Sequence, residues 1–501
     1  MKKVKGRVLF NIAGLIIVVF WLVMLGLLVY REEAGSGSIP SVSGPESPLV
    51  HSAERTWKEI FFRGKKTGYS VSFIKPFDDG YFIQEKLFLK LNLMGLGRSL
   101  QMVTQGRVYR NFVLKSFHSS MASGIVKFNV SGKVEGRRLI LEIGSGAKRR
   151  SKTLKIKDDL LLGSALDYYF RSKKLKVGDI FSLPFFDPSS MLQKDMKIEV
   201  TARETLSIHG ESYDTFRLEG RVWGRGFKVW VDHEGRPIKE SGIMGFTTMI
   251  SNAERAPTGL GADSGVDLYE IAAVQVNRSL PDPREMTYLK LRLQGIDEET
   301  AFLLEKSGGK RQQFRDGILQ IRKEAVPLRP SYRTPYRNGR QDMKAFLKPE
   351  FNIESDDEEI IRQAREIAGD SDNPLVVARR MVAWVYRHLE KRPVLSFPSA
   401  KEVLRTREGD CNEHAVLLTA LLRASGIPSR IVVGLVYARG KFYYHAWTEA
   451  YLGDWITMDA TLDQMPADVT HIKLFEGNLE QQARITGLIG ELEISILDFS
   501  K

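Results

Sequence analysis

Asp410-Cys-Asn-Glu-His-Ala-Val-Leu-Leu-Thr-Ala-Leu-Leu422 decides how this chain is read. Asp410 and Glu413 have the spacing of a capping box, in which each side chain accepts from a backbone N–H that the first helical turn leaves unpaired. The run from Ala415 to Leu422 is apolar nearly all round, so this helix is expected to be buried. It should stop at Ser425-Gly-Ile-Pro428, where Gly can adopt the left-handed closing conformation and Pro blocks continuation. Three helices are expected before it. Ser355-Asp-Asp-Glu358 is read as a capping box opening the first, Asn373-Pro374 starts the second, and Ser399-Ala-Lys-Glu402 caps a short third. Strands are expected after it, at Arg430 to Tyr437, Tyr443 to Leu452 and Trp455 to Asp459.

Cys411 is the single cysteine of 501 residues, so no intramolecular disulfide, zinc ribbon or cysteine-ligated cluster can be built within the chain. Its position in a first helical turn favours the thiolate through free N–H groups and the helix dipole, which predicts a lowered thiol pKa. Alone, it would be read as a small buried hydrophobe. A cysteine nucleophile also needs a base and an orienter, and His445 and Asp459 lie downstream on two consecutive strands. Paired residues of an antiparallel hairpin have a constant index sum, and side chains alternate faces. A two-residue turn would put His445 and Asp459 on opposite faces. A three-residue loop, Gly453 to Trp455 in the simplest register, puts them on one face and within hydrogen-bond reach. His414 is the competing base, disfavoured because an imidazolium at a helix N-terminus opposes the dipole. Glu413 is read as a cap. The histidines at 51, 118, 209, 233, 388 and 471 have no partner spacing and are assigned no chemistry.

Gly409-Asp-Cys-Asn-Glu-His414, Leu422-Arg-Ala-Ser-Gly-Ile-Pro-Ser-Arg430, His445-Ala-Trp447 and Asp459-Ala-Thr461 together resemble the bacterial transglutaminase-like domain, four ordered motifs between about Ser399 and Leu474. The resemblance implies a papain-like core, with the cysteine on a central helix packed against an antiparallel sheet. It also implies Cys411 as nucleophile, His445 as general base and acid, and Asp459 as orienter. Members of that family include cross-linking acyltransferases, proteases, amidases and catalytically silent scaffolds. A cysteine acyltransferase or amide hydrolase acting on protein or peptide amides is therefore one expectation, and a silent envelope scaffold is the alternative. No GxxxxGK[ST], HExxH, GxSxG or EF-hand pattern occurs, so neither a cofactor nor a metal is expected.

Upstream, Lys2, Lys3, Lys5 and Arg7 precede an apolar run from Val8 to Tyr30, long enough to cross a bilayer. The charge bias predicts a cytoplasmic N-terminus and a single-pass anchor that puts the rest outside, in a periplasmic or extracellular space. Residues 31–54 read as a tether. Alternating aromatic and β-branched residues, as in Tyr81-Phe-Ile-Gln-Glu-Lys-Leu-Phe-Leu-Lys-Leu91, predict an antiparallel β domain over 55–253. A linker (254–285), a small β-rich region (286–345), the transglutaminase-like domain (346–478) and a C-terminal β extension (479–501) complete an α+β chain. With 43% hydrophobic and 27% charged residues, disorder, collagen and coiled-coil fibre are excluded. The net charge of +13 suits an anionic envelope polymer or lipid; nucleic acid is not expected, because no binding module accompanies the charge. Lys148, Arg149, Arg150, Lys152, Lys155 and Lys157 read first as a solvated edge strand.

Overall fold

A computed structural model of the chain describes residues 50–260, 272–477 and 488–501, apart from 94–95, 124–125, 145–149, 157, 189–191, 223–224, 243–244, 308, 330, 338–340 and 393–398. The expected membrane span at 8–30 lies outside these residues. Among those described, no helix is long and apolar enough to cross a membrane. The chain forms two compact units that divide between Asp267 and Leu268.

The first unit is a fifteen-stranded sheet built from two antiparallel meanders and a two-residue edge strand, Leu161–Leu162, that pairs parallel with Ile180–Asp187. One meander runs from Glu54–Phe62 to Arg150–Lys155 and the other from Ile180–Asp187 to Phe246–Ser251. The first strand of one pairs antiparallel with the last strand of the other, from Trp57 opposite Ser251 to Phe62 opposite Phe246. Period-two patterning decides which face is buried. In Gly80–Leu93 the odd positions Tyr81, Ile83, Leu87 and Leu89 are buried. A short helical stretch, Gly163 to Ser172, buries Ser164, Ala165, Tyr168 and Phe170. The described part of the basic run, Arg150–Lys155, is an outermost strand of this sheet.

In the second unit α1 (Glu358–Ala368), α2 (Pro374–His388) and α3 (Ala400–Thr406) pack against α4 (Cys411–Ala424), which carries the candidate nucleophile at its first residue. The main sheet of this unit contains β1 (Ser429–Ala438), β2 (Lys441–Tyr451), β3 (Trp455–Met458) and β4 (Ile472–Glu476), with β1 between β2 and β4. A separate four-stranded sheet is made of Gln312–Arg315, Ile318–Arg322, Tyr288–Gln294 and Glu493–Ser500. The small β region and the C-terminal extension, distinguished by sequence, thus pair within one sheet.

Asn373 caps α2 by accepting from Leu375 N–H, and Ser399 caps α3 by accepting from Glu402 N–H. The start of α1 differs from expectation. Its N-cap is Asp357, not Ser355. The chain at Glu350 to Ile353 folds back as an antiparallel bridge, and buried Glu354 meets the Ser399 hydroxyl and Lys401 N–H. Glu354 is thereby engaged with α3, and the helix begins three residues after Ser355.

Candidate active site

The sequence places Cys411 at the head of α4 as expected. Asp410 is the N-cap, its carboxylate accepts from Asn412 N–H at 2.9 Å, and Asp410 N–H donates to Glu413 at 3.0 Å. Thirteen helical residues from Cys411 to Arg423 are buried, so α4 is fixed by packing on all sides. Thr448 on β2 anchors it, donating to Ala415 O and lying 3.1 Å from the Thr419 hydroxyl. At the far end Gly426 has φ +75° and Ile427 N–H closes onto Leu422 O, the glycine-terminated stop the sequence predicts. These contacts hold the thiol against β2, where Ala446 N–H donates to Sγ at 3.3 Å.

The hairpin of β2 and β3 brings the next two residues together. Tyr451 pairs with Trp455, leaving Leu452, Gly453 and Asp454 as a three-residue loop. The loop length is odd, although its register sits two units below the simplest expectation. Gly453 takes φ +106°, which favours glycine. His445 and Asp459 consequently share a face, and His445 Nε2 donates to Asp459 Oδ2 at 2.7 Å. Asp459 Oδ1 accepts from Thr461 and Leu462 N–H at 2.7 and 3.1 Å.

His471, assigned no chemistry from sequence, belongs to the same cluster. Its Nε2 lies 3.0 Å from the same Asp459 Oδ2, and its Nδ1 is 3.4 Å from Asp468 Oδ1. Between Asp459 and His471 the chain is irregular, so no periodicity predicts this return. The available signals were the Asp468 and His471 spacing and the many polar residues in a short stretch before β4.

Electrostatics correct one expectation. The Cys411 thiol is pushed well above its usual range, first by burial and then by the negative charge of Asp410, with the Ala446 N–H opposing. Burial would also raise Asp459, but His445 and His471 hold its carboxyl well below the usual range. His414 is lowered to about 4 by burial. Its Nδ1–H donates to Asp410 O at 2.6 Å, and buried Nε2 has no hydrogen-bond partner. The indole N–H of fully buried Trp447, whose ring is 6.2 Å from His445, is also without one.

His445, Asp459 and His471 each bring one nitrogen or oxygen within 4.8 Å of the others, a spacing that could also surround a metal ion. Here both imidazoles donate to one oxygen of an ionised carboxylate, and protons alone account for the spacing. Chemically, the cluster combines a thiol, an imidazole one residue from the thiol's hydrogen-bond donor, and an anion that orients that imidazole.

Residues 361–460 match the transglutaminase-like superfamily, and the chain carries a transglutaminase-like domain. The match spans both α4 and the His445 to Asp459 hairpin. No curated protein matches the sequence. Among solved structures, the chain is similar to a candidate cysteine protease from Cytophaga hutchinsonii, with 19% identity over 43% of this chain and 86% of that one, at a TM-score of 0.28. It is similar to a β-barrel-like protein of a domain of unknown function from Brucella abortus, with 9% identity over 40% and 96%, at 0.32. The periplasmic domain of TgpA from Pseudomonas aeruginosa, solved bound to ethylmercury, shares 14% identity over 39% and 92%, at 0.21.

Proposed function

We propose that the chain is a cysteine acyltransferase or amide hydrolase in which Cys411 is the nucleophile, His445 the general base and acid, and Asp459 the orienter. The observation that carries this reading is the 2.7 Å bond from His445 Nε2 to Asp459 Oδ2, on the strand whose Ala446 N–H meets the thiol. With Nε2 engaged, Nδ1 is the nitrogen left to take the thiol proton as sulfur attacks an amide carbonyl. The C–N bond then breaks, and the same proton passes to the departing amine. Water resolves the thioester to an acid, or a primary amine resolves it to a new amide. The Cys411 backbone N–H, at a helix N-terminus, would be one donor to the oxyanion.

In this reading the substrate is a protein or peptide amide outside the cytoplasm, and residues 8–30 anchor the chain to the membrane. The basic edge strand is suited to an anionic envelope polymer or lipid. A second reading is favoured by one observation: Cys411 is completely buried. A silent envelope scaffold on the same fold would keep such a thiol as a packing residue.

Incubating the full chain with envelope proteins and a fluorescent primary amine, and separately with peptidoglycan peptides, distinguishes the two. Label or fragments that disappear in Cys411→Ala support the enzyme. A thiol that resists iodoacetamide at neutral pH, with no label and no fragments, supports the scaffold.

A further inference from the structure

We propose that His471 is a positioning residue of this site, fixing the carboxylate that orients His445, so that the array has four members: Cys411, His445, Asp459 and His471. This rests on the enzyme reading above and adds to it a residue that the sequence motifs do not contain.

The geometry carries it in three steps. Asp459 accepts four hydrogen bonds, two at Oδ1 from Thr461 and Leu462 N–H and two at Oδ2 from the imidazoles. The two at Oδ1 would allow the carboxylate to tilt about that oxygen. The bond from His471 fixes Oδ2 on the line toward His445.

Next, His471 meets a carboxylate oxygen at each nitrogen, Asp459 at Nε2 and Asp468 at Nδ1. Ionised carboxylates only accept, and a neutral imidazole has a single N–H. Both nitrogens therefore carry protons, and His471 is an imidazolium. Burial disfavours that charge, but the two carboxylates raise the pKa to about 9. The charged or titratable groups that face it are Asp459, Asp468, the His445 ring at 5.8 Å, and Arg311, whose guanidinium donates to the His471 carbonyl. The Trp447 ring packs edge-on at 5.3 Å.

Finally, the surroundings hold His471 in place without reference to any reacting group. Arg311 donates to both His471 O and Asp468 O, at 2.7 and 2.8 Å. Gln312 pairs with the backbone of Lys473 in both directions. Gln464 brackets Asp468, donating from Nε2 to its Oδ2 and accepting at Oε1 from its N–H. Gly434 on β1 lets β4 approach: a Cβ there would lie 1.8 Å from Ile472 O.

The test uses the full chain labelled with 15N-histidine, which has 8 histidines to assign. Wild type should show both His471 nitrogens protonated through pH 8, losing one proton near 9, and a low-field proton signal from His445 Nε2–H. His471→Gln keeps a donor for Asp459 and should retain that His445 signal. His471→Leu should lose it to solvent exchange. On an amide probe, His471→Leu should lower kcat about ten- to a hundredfold with little change in KM, as for other residues that orient a functional histidine, and His471→Gln should lose less. The proposal is overturned if His471→Leu, folded by circular dichroism, keeps both the signal and a rate within twofold of wild type. It is equally overturned if His471→Gln loses the signal as completely as the leucine variant, which also covers the case in which leucine is not tolerated. If wild type shows the signal but no turnover, the enzyme reading fails while the resonances still decide whether His471 fixes Asp459.

Discussion

Each unit of this protein buries charge, and the two do so to different ends. In the β unit the Lys58 ammonium lies 2.7 Å from Asp167 Oδ2 and 2.6 Å from Glu240 Oε1. Burial would lower its pKa, but the two carboxylates hold it charged, well above its usual range. In the second unit one carboxylate, Asp459, is flanked by two imidazoles. The motifs are mirror images in sign. The lysine cluster is closed, because every partner only gives or only accepts a proton bond within it. The aspartate cluster is open at one end, since His445 has a second nitrogen and a thiol lies beside its strand. Buried charge by itself is weak evidence of either stability or chemistry; the open end makes one of these clusters suited to chemistry.

The largest effect should come from the open end. Cys411→Ala and His445→Ala should each lower turnover of an amide probe by about a thousandfold or more, and the double variant should lose little further, because the two act as a unit. Asp459→Asn should be impaired less completely, since nucleophile and base remain. His414→Ala should keep most of the activity, its Nδ1 being committed to the Asp410 carbonyl. Equal losses at His414 and His445 would reopen the assignment of the base.

In the closed cluster, Lys58→Ala leaves Asp167 and Glu240 without their shared cation. The β unit should lose about 3–5 kcal/mol in denaturant unfolding, while alkylation of Cys411 keeps its wild-type rate. A stability change below about 1 kcal/mol would mean that water already shields those carboxylates.

Much of this contrast was legible in the sequence, and the limits are physical. Parity placed His445 and Asp459 on one face once the loop was taken as odd, and local capping rules found the start of α4. Parity could also have flagged the closed cluster. Glu85 shares the odd positions of Tyr81, Ile83, Leu87 and Leu89, and Lys58 shares the even positions of Ile60 and Phe62. Their partners were not readable, because Asp167 and Glu240 are 109 and 182 residues from Lys58. His471 was missed for the same reason on a shorter scale: an irregular stretch has no period to extrapolate. For the thiol, the sequence shows both the helix terminus and the apolar helix that buries it; the expected lowering weighs only the terminus, and desolvation acts in the other direction.

A smaller effect is expected from Gly434→Ala. The added methyl would collide with the Ile472 carbonyl, a backbone atom that moves only if β4 moves with it. The variant should lose about 1–3 kcal/mol from overpacking, and the His445 low-field signal should broaden because His471 directly precedes β4. An unchanged signal in a destabilised variant would separate the packing of β4 from the orientation of Asp459.

The last test asks whether the closed cluster is electrostatically complete. Glu85 lines a cavity of about 70 Å³ together with Lys58, Asp167 and Glu240. Its carboxyl is raised to about 7, first by burial and then by the charge of Asp167. A folded pKa above the unfolded value means that the folded state binds more protons between about 4.5 and 7. The stabilisation associated with the neutral carboxyl is complete below 4.5 and is lost as pH rises through 7, the opposite of what a salt-bridged carboxylate gives. Glu85→Gln removes this titration and keeps the volume. Denaturant midpoints measured from pH 5 to 8 should therefore fall less steeply in the variant than in wild type. Parallel curves would mean that Glu85 ionises freely in the fold, with its charge already met by Lys58.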